Sequence, residues 1–200
     1  MQPITGRQRQ IVEAALDIVA ERGPEAVTVK GIAERVGFSD AAVYRHFRSK
    51  SQILGLVVDL FADGSRRSLE EIQSCPGSAL EKLRLFFLDR CRAFAADRVT
   101  ATVMFAEGLF QADRSLAERI HQVLQEHRAL LLQTIRDGQR RGAIRPLHAE
   151  HLFTTVMGAL RLLVLQWRVS GGAFDLPRAG ERLWATLQEL IAVPNPRQEK

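Results

Sequence analysis

Cysteine is scarce in this chain: two residues in 200, Cys75 and Cys91, sixteen positions apart and with no CxxC pair. A disulfide framework or a four-ligand zinc site needs more than this, so both are expected to be ordinary thiols in a reducing compartment, with no metal bound. Long apolar runs are also missing. The greasiest stretch, Gly158 to Trp167, is broken by Arg161 and Gln166, well short of the roughly 18 uninterrupted apolar residues that a membrane span needs. Near the start, Arg7 and Arg9 lead into Glu13 and Asp17 with no apolar h-region, so no signal peptide is visible and a soluble cytoplasmic protein is expected. No segment alternates polar and apolar residues at period two, which argues against strands. GxGxxG, P-loop, HExxH and GxSxG patterns are all lacking, so neither a cofactor nor catalysis is expected.

What is present is apolar residues at helical spacing. At 46% hydrophobic and 26% charged, the chain carries enough apolar surface to offset the entropy of folding. The net charge of +5 is spread out, with +2 of it in residues 1–50, so placement of charge matters more than its total. Ile11, Ala14, Ala15, Ile18 and Val19 repeat at i, i+3, i+4, i+7 and i+8, and Val29, Ile32, Ala33 and Val36 do so over a shorter segment. Thr5 with Gln8, Ser49 with Gln52, Ser78 with Glu81 and Ser115 with Glu118 all have capping-box spacing. Breaks fall at Gly23-Pro24, Gly37, Cys75-Pro76-Gly77, Gly142, Pro146 and Gly171-Gly172, and Pro177 suits a helix's first turn. These signals predict an all-α fold of about nine helices, running roughly 5–22, 28–36, 39–47, 49–74, 78–95, 97–111, 115–141, 148–169 and 177–192, with a frayed tail from Pro194. Short helices precede long ones, which predicts a head over residues 1–48 and a larger body over 49–200.

Residues 28–50 carry the chemistry. Thr28 can cap a short helix whose apolar face is Val29, Ile32, Ala33 and Val36; Gly37 then supplies a left-handed turn. Phe38 can plug the corner, and Ser39 can cap a second helix on which Val43 packs back. Small Ala33 lets the two helices cross closely. A helix-turn-helix needs this glycine turn, small crossing residue and pair of apolar anchors. The second helix leaves Asp40, Ala41, Ala42, Tyr44, Arg45 and His46 largely free of core duty, which suits double-stranded DNA. Tyr44, His46 and Lys50 can donate to phosphates.

The residues Ile32-Ala33, Val36-Gly37, Ser39, Val43-Tyr44, His46-Phe47 and Ser49-Lys50, preceded by a helix over 5–22, resemble the signature of the TetR family of bacterial regulators. The likeness covers about the first quarter of the chain; the rest matches that family in helix number and length. The resemblance implies a homodimer whose head binds a palindromic operator and whose body holds a small-molecule effector. Its last two helices, near 148–169 and 177–192, would pair across a two-fold axis. Carried over by position, Thr28, Tyr44, His46 and Lys50 would touch phosphates, while Asp40, Ala41, Ala42 and Arg45 would approach base edges; Ser39 belongs to the same interface. Asp40 departs from the basic or neutral residue common there. A carboxylate can accept from a cytosine amino group or repel phosphate, which leaves Arg45 as the leading candidate for hydrogen-bonded readout. The function expected is a repressor released by an effector. The alternative is a nucleoid or cell-division DNA binder of the same fold whose body grips a protein.

In the body, Glu107 falls beside Val103, Met104 and Phe110 at helical spacing, so it either faces a pocket ligand or sits paired at a boundary. Thr154, Arg161 and Arg168 recur every seven residues, as a dimer-rim stripe or as a source of an arginine for an acidic ligand. His148 and His151 could share a metal only with ligands that nothing nearby supplies. Phe87, Met104, Glu107, Phe110, Arg161 and Trp167 are the candidate ligand-binding residues, although such aromatics at helical spacing equally make core. Leu152, Val156, Leu160, Leu163 and Trp167, with Leu183, Trp184, Leu187 and Leu190, make broad apolar faces that suit a helical dimer interface.

Overall fold

A computed structural model describes residues 4–194, apart from the side chains of Leu109 and Phe110. The described residues form α1 (Gly6–Arg22), a 3-10 turn (Pro24–Ala26), α2 (Val29–Val36), α3 (Asp40–Tyr44), α4 (Lys50–Ser74) and α5 (Ala79–Ala96). These are followed by α6 (Arg98–Met104), α7 (Glu107–Ala112), α8 (Arg114–Arg140), α9 (Ala149–Val169) and α10 (Leu176–Ile191). No strand occurs among them; an isolated antiparallel bridge joins Ile144 to Ala192. The all-α expectation holds. The one helix predicted over 97–111 is two, because the chain turns at Phe105 with a tight Ala106 N–H to Val103 carbonyl bond of 3.1 Å. Val103 is fully buried and Met104 and Ala106 pack on the same core, so tertiary burial there overrides a continuous helical pattern. Of the predicted tail, residues 195–200 lie outside the described part.

Two compact units emerge, one of residues 1–64 with 97–123 and one of 65–96 with 124–200. Neither coincides with a single cut after residue 48, since α6, α7 and the start of α8 cluster with the head. In the first unit, α1 turns Ile11, Val12, Ala14, Ala15, Ile18 and Val19 onto Ile32 and Ala33 of α2, Val43 of α3 and Ile53, Leu54, Val57 and Val58 of α4. Truncating any one of the large members to Ala would cost about 2–5 kcal/mol. In the second unit α10 packs on α5 so closely that a Cβ at Gly180 would stand 2.7 Å from the Cys91 sulfur. Burial lifts that thiol's pKa to about 12, which leaves it protonated and unreactive. The Phe87 and Trp184 rings meet in the same layer, 5.8 Å apart.

The helix starts explain much of this. Thr5 forms a full capping box with Gln8. Ser49 caps Gln52, whose side-chain oxygen reaches back one residue further, to the Arg48 N–H at 2.7 Å. Ser78 caps Glu81, but the Glu81 carboxylate turns to Arg84. Ser115 is no cap: Asp113 accepts from both Ser115 and Leu116 N–H groups, and Glu118 pairs with Arg114. A carboxylate there suits the positive end of a helix dipole, and its bonds to Ser51 and to these N–H groups hold the Asp113 pKa below the usual range.

Candidate nucleic-acid interface

The reading head is built from two capped helices and one glycine. The Thr28 hydroxyl oxygen accepts from Gly31 N–H at 3.0 Å and starts α2. α2 ends at Gly37, whose φ of 70° and ψ of 32° lie in the left-handed region. The next amide, Phe38 N–H, donates back to Ala33 carbonyl at 2.9 Å. Ser39 then caps α3 by accepting from Ala42 N–H at 3.2 Å. Both cap hydroxyls act as acceptors inside the protein, so each retains its own proton to donate outward. Ala33 is buried at the crossing and Val43 is the inward anchor of α3.

α3 is shorter than the predicted 39–47. It ends at Tyr44 because His46 N–H closes a tight bond on Val43 carbonyl (2.9 Å), carrying Phe47 into the core. What remains outside is a continuous strip. Ser39, Asp40, Ala41, Tyr44, Arg45 and His46 are exposed, Tyr44 by 53%, whereas Ala42 and Lys50 are half-buried. Thr28 is exposed at the start of α2, and Lys50 opens α4. Sequence proximity already placed most of these together; the fold adds their common exposure. Arg35 is committed elsewhere: Glu21 binds both of its terminal nitrogens, at 2.7 and 2.5 Å, which lowers the Glu21 pKa and raises that of Arg35. One contact has no sequence signal. The Arg7 guanidinium lies 4.7 Å from the centroid of the Phe38 ring, joining residues 31 positions apart.

The candidate effector residues are spread over both compact units. Met104 is half-buried in the head core, Glu107 is exposed at the first position of α7, and the Phe110 side chain lies outside the described residues. The inward reading of Glu107 therefore does not match its position. Phe87 and Trp167 are buried in the second unit, and Arg161 is exposed on α9. A cleft of about 230 Å³ in that unit is lined by none of the six; Lys82, Asp137 and Arg141 give it a charged rim. No group of three His, Cys, Asp or Glu suited to a metal occurs among the described residues, although the His148 and His151 rings lie 4.5 Å apart.

Four buried polar residues of the body interior, Ser65, Arg90, His127 and Thr134, escaped the sequence reading. Ser65 Oγ and His127 Nε2 are 2.6 Å apart and both are buried; Phe86 meets the imidazole edge-on at 5.2 Å. Arg90 is 4% exposed, with its guanidinium on the Asp89 carboxylate. Burial, assisted by the Arg90 charge, pushes the His127 pKa down to about 4, so the ring is neutral at pH 7.

A capped glycine-turn pair with an exposed, hydrogen-bonding second helix is the reading head of a DNA-binding regulator. The family model for bacterial regulatory proteins of the tetR family matches residues 11–57, and that for the YsiA-like protein C-terminal region matches 57–190. The chain belongs to the TetR family of bacterial regulatory proteins. It is similar to the fatty acid metabolism regulator protein of Bacillus subtilis, 26% identical over 171 residues that cover 84% of this chain and 86% of the relative. The nucleoid occlusion factor SlmA of Vibrio vulnificus is 25% identical over 190 residues, 94% and 96% of the two chains. Among solved structures, the ketosteroid transcriptional regulator KstR2 of Mycobacterium tuberculosis superposes with a TM-score of 0.80 at 21% identity, covering 96% of this chain and 98% of that one. FadR from Bacillus subtilis in complex with stearoyl-CoA gives 0.77 at 26%, covering 90% and 96%.

Proposed function

We propose that the chain is a homodimeric repressor that binds a palindromic operator through residues 1–48 and is released by a small-molecule effector held in the body of residues 49–200. The exposed strip from Ser39 to His46 carries this reading. In it Tyr44, His46 and Lys50, with the hydroxyls of Thr28 and Ser39, bind phosphates; Asp40, Ala41, Ala42 and Arg45 face the bases. Arg45 is the longest donor there, and bidentate contact with guanine is its commonest specific use. Its DNA places the protein in the cytoplasm, with no catalytic step of its own.

The dimer reading rests on α9. Leu152, Val156, Leu160, Val164 and Trp167 are buried within the second unit, yet Leu162, Leu165 and Val169 are 56%, 42% and 80% exposed. With His151, Thr155 and Gly158 they form a stripe at alternating steps of four and three, the seam spacing of paired helices. By length and composition α9 could cross a membrane, with a mean hydropathy of 1.3, but Arg161 and Arg168 interrupt it. A second copy, with α10 of both chains alongside, covers such a face without lipid. The relative solved with stearoyl-CoA makes fatty acyl thioesters the first effector class to screen.

Selection of duplexes by the full chain from a randomised library tests the whole reading. A two-fold symmetric consensus is expected, and acyl thioesters should release the bound duplex. Arg45→Ala should lose preference at about one base pair per half-site, a cost of roughly 1–3 kcal/mol. Enrichment of no duplex would overturn the proposal. Binding that ignores every small molecule but retains a protein partner on DNA would favour the nucleoid-factor alternative, which the likeness to SlmA raises.

A further inference from the structure

The head's cations are unequally available to a polyanion. Arg35 is held by Glu21 and Asp17, and Lys30 stands 4.0 Å from Glu34. Arg7 differs from both. It is exposed, lies in the first turn of α1, and among the described residues forms no ion pair; its Nη1 donates to the Gln10 side-chain oxygen at 3.2 Å. Its guanidinium stacks on Phe38, the residue directly before the cap of α3.

We propose that Arg7 is a phosphate-binding residue of the DNA interface, held in place by the Phe38 ring. This rests on the DNA-binding reading of the Ser39–His46 strip. A reading helix enters the major groove with its N-terminal residues toward the bases. Ser39 and Asp40 form that end of α3, so a cation stacked on residue 38 lies beside the entering tip. The groove is only about 12 Å wide, which puts such a cation at its rim, where the phosphates run. Chemistry supports the placement. Asp40 brings a negative charge to this end of the helix, and a guanidinium held on the ring two residues earlier restores attraction for the backbone. Arg7 is also preorganised: the Thr5–Gln8 capping box orders its turn, and the ring face restricts its rotamers, so less freedom is lost on binding. Arg7 lies ahead of positions 11–57 matched by the family model, and Phe38 lies within them.

The test measures binding of the full chain to its selected duplex and to a random 30-base-pair duplex over a range of salt. Arg7→Ala should make the log–log salt dependence shallower by about two units, one for each protomer of the dimer, weaken binding to both duplexes roughly tenfold or more, and leave the selected sequence unchanged. Arg7→Lys should retain the slope. Phe38→Leu keeps an apolar plug but removes the ring, and should weaken binding about two- to fivefold. In that background Arg7→Ala should cost less than it does alone, since positioning makes the two losses non-additive, whereas a purely structural role for Phe38 leaves them additive. A wild-type slope in Arg7→Ala, or a changed selected sequence, overturns the proposal; full additivity overturns the part assigned to Phe38. If the wild-type chain selects no duplex, the DNA-binding reading itself fails, which is a separate result.

Discussion

His127 enters the interior at the spacing of its buried neighbours, with Val123, Leu130 and Thr134 at steps of four, three and four along α8. A periodicity scan that admits only apolar residues skips it, yet its position on the buried face was legible. The Ser65 partner 62 residues away was not, because no local pattern encodes which helix will face α8. The neutral ring has a pH consequence. Its pKa falls from an ordinary 6.5 to about 4 on folding, so below pH 6.5 the unfolded chain takes up the proton first. The stability His127 contributes is complete above 6.5 and drains as pH falls toward 4, by about 3 kcal/mol over that window. Urea unfolding of wild type and His127→Gln should therefore show a stability gap that narrows between pH 6.5 and 4. A gap that stays constant would show that the ring is charged or solvated in the folded protein.

Among the elements, the helix-turn-helix was the most legible because each of its signals is local. Thr28, Gly37 and Ser39 do in space what their residue types dictate in sequence. Gly37 is the sharpest case. A Cβ there would meet nothing within 4 Å, so the backbone alone demands glycine. Gly37→Ala should cost about 1–2 kcal/mol from its left-handed φ and lower Tm by about 4 °C, with Gly37→Asn losing less. Calorimetry showing no difference between wild type and Gly37→Ala would mean that the turn relaxes elsewhere. Where competing local signals exist, the sequence was ambiguous. Ser115 with Glu118 has capping-box spacing, but Asp113 two residues earlier captures the helix start, and α6 stops at Met104 because Val103 and Ala106 are wanted in the head core.

For the whole molecule, the proposed dimer covers the exposed Leu162, Leu165 and Val169 of α9 with a second copy. Leu162→Asp combined with Leu165→Asp should convert a dimer to a monomer in analytical ultracentrifugation, since each large apolar side chain contributes about 1.5–3 kcal/mol when buried. Operator binding should then fall by a factor on the order of 10² or more as the second half-site loses its tether, while binding of a single half-site persists. A variant that stays dimeric would move the interface off this stripe.

Taken alone, the sequence determined the all-helical class, the reading head and the strip from Ser39 to His46, because helical period, caps and a left-handed glycine act over a few residues. Tertiary structure decided which cations are free and which are spent. Arg35 and Arg7 look alike in sequence; one is bound by Glu21, and the other stacks on Phe38. It also decided that α6, α7 and the start of α8 cluster with the head, and that Ser65 and His127 meet inside the body. Such pairings join residues tens of positions apart. They are set by which faces pack together, a choice that local propensity leaves open.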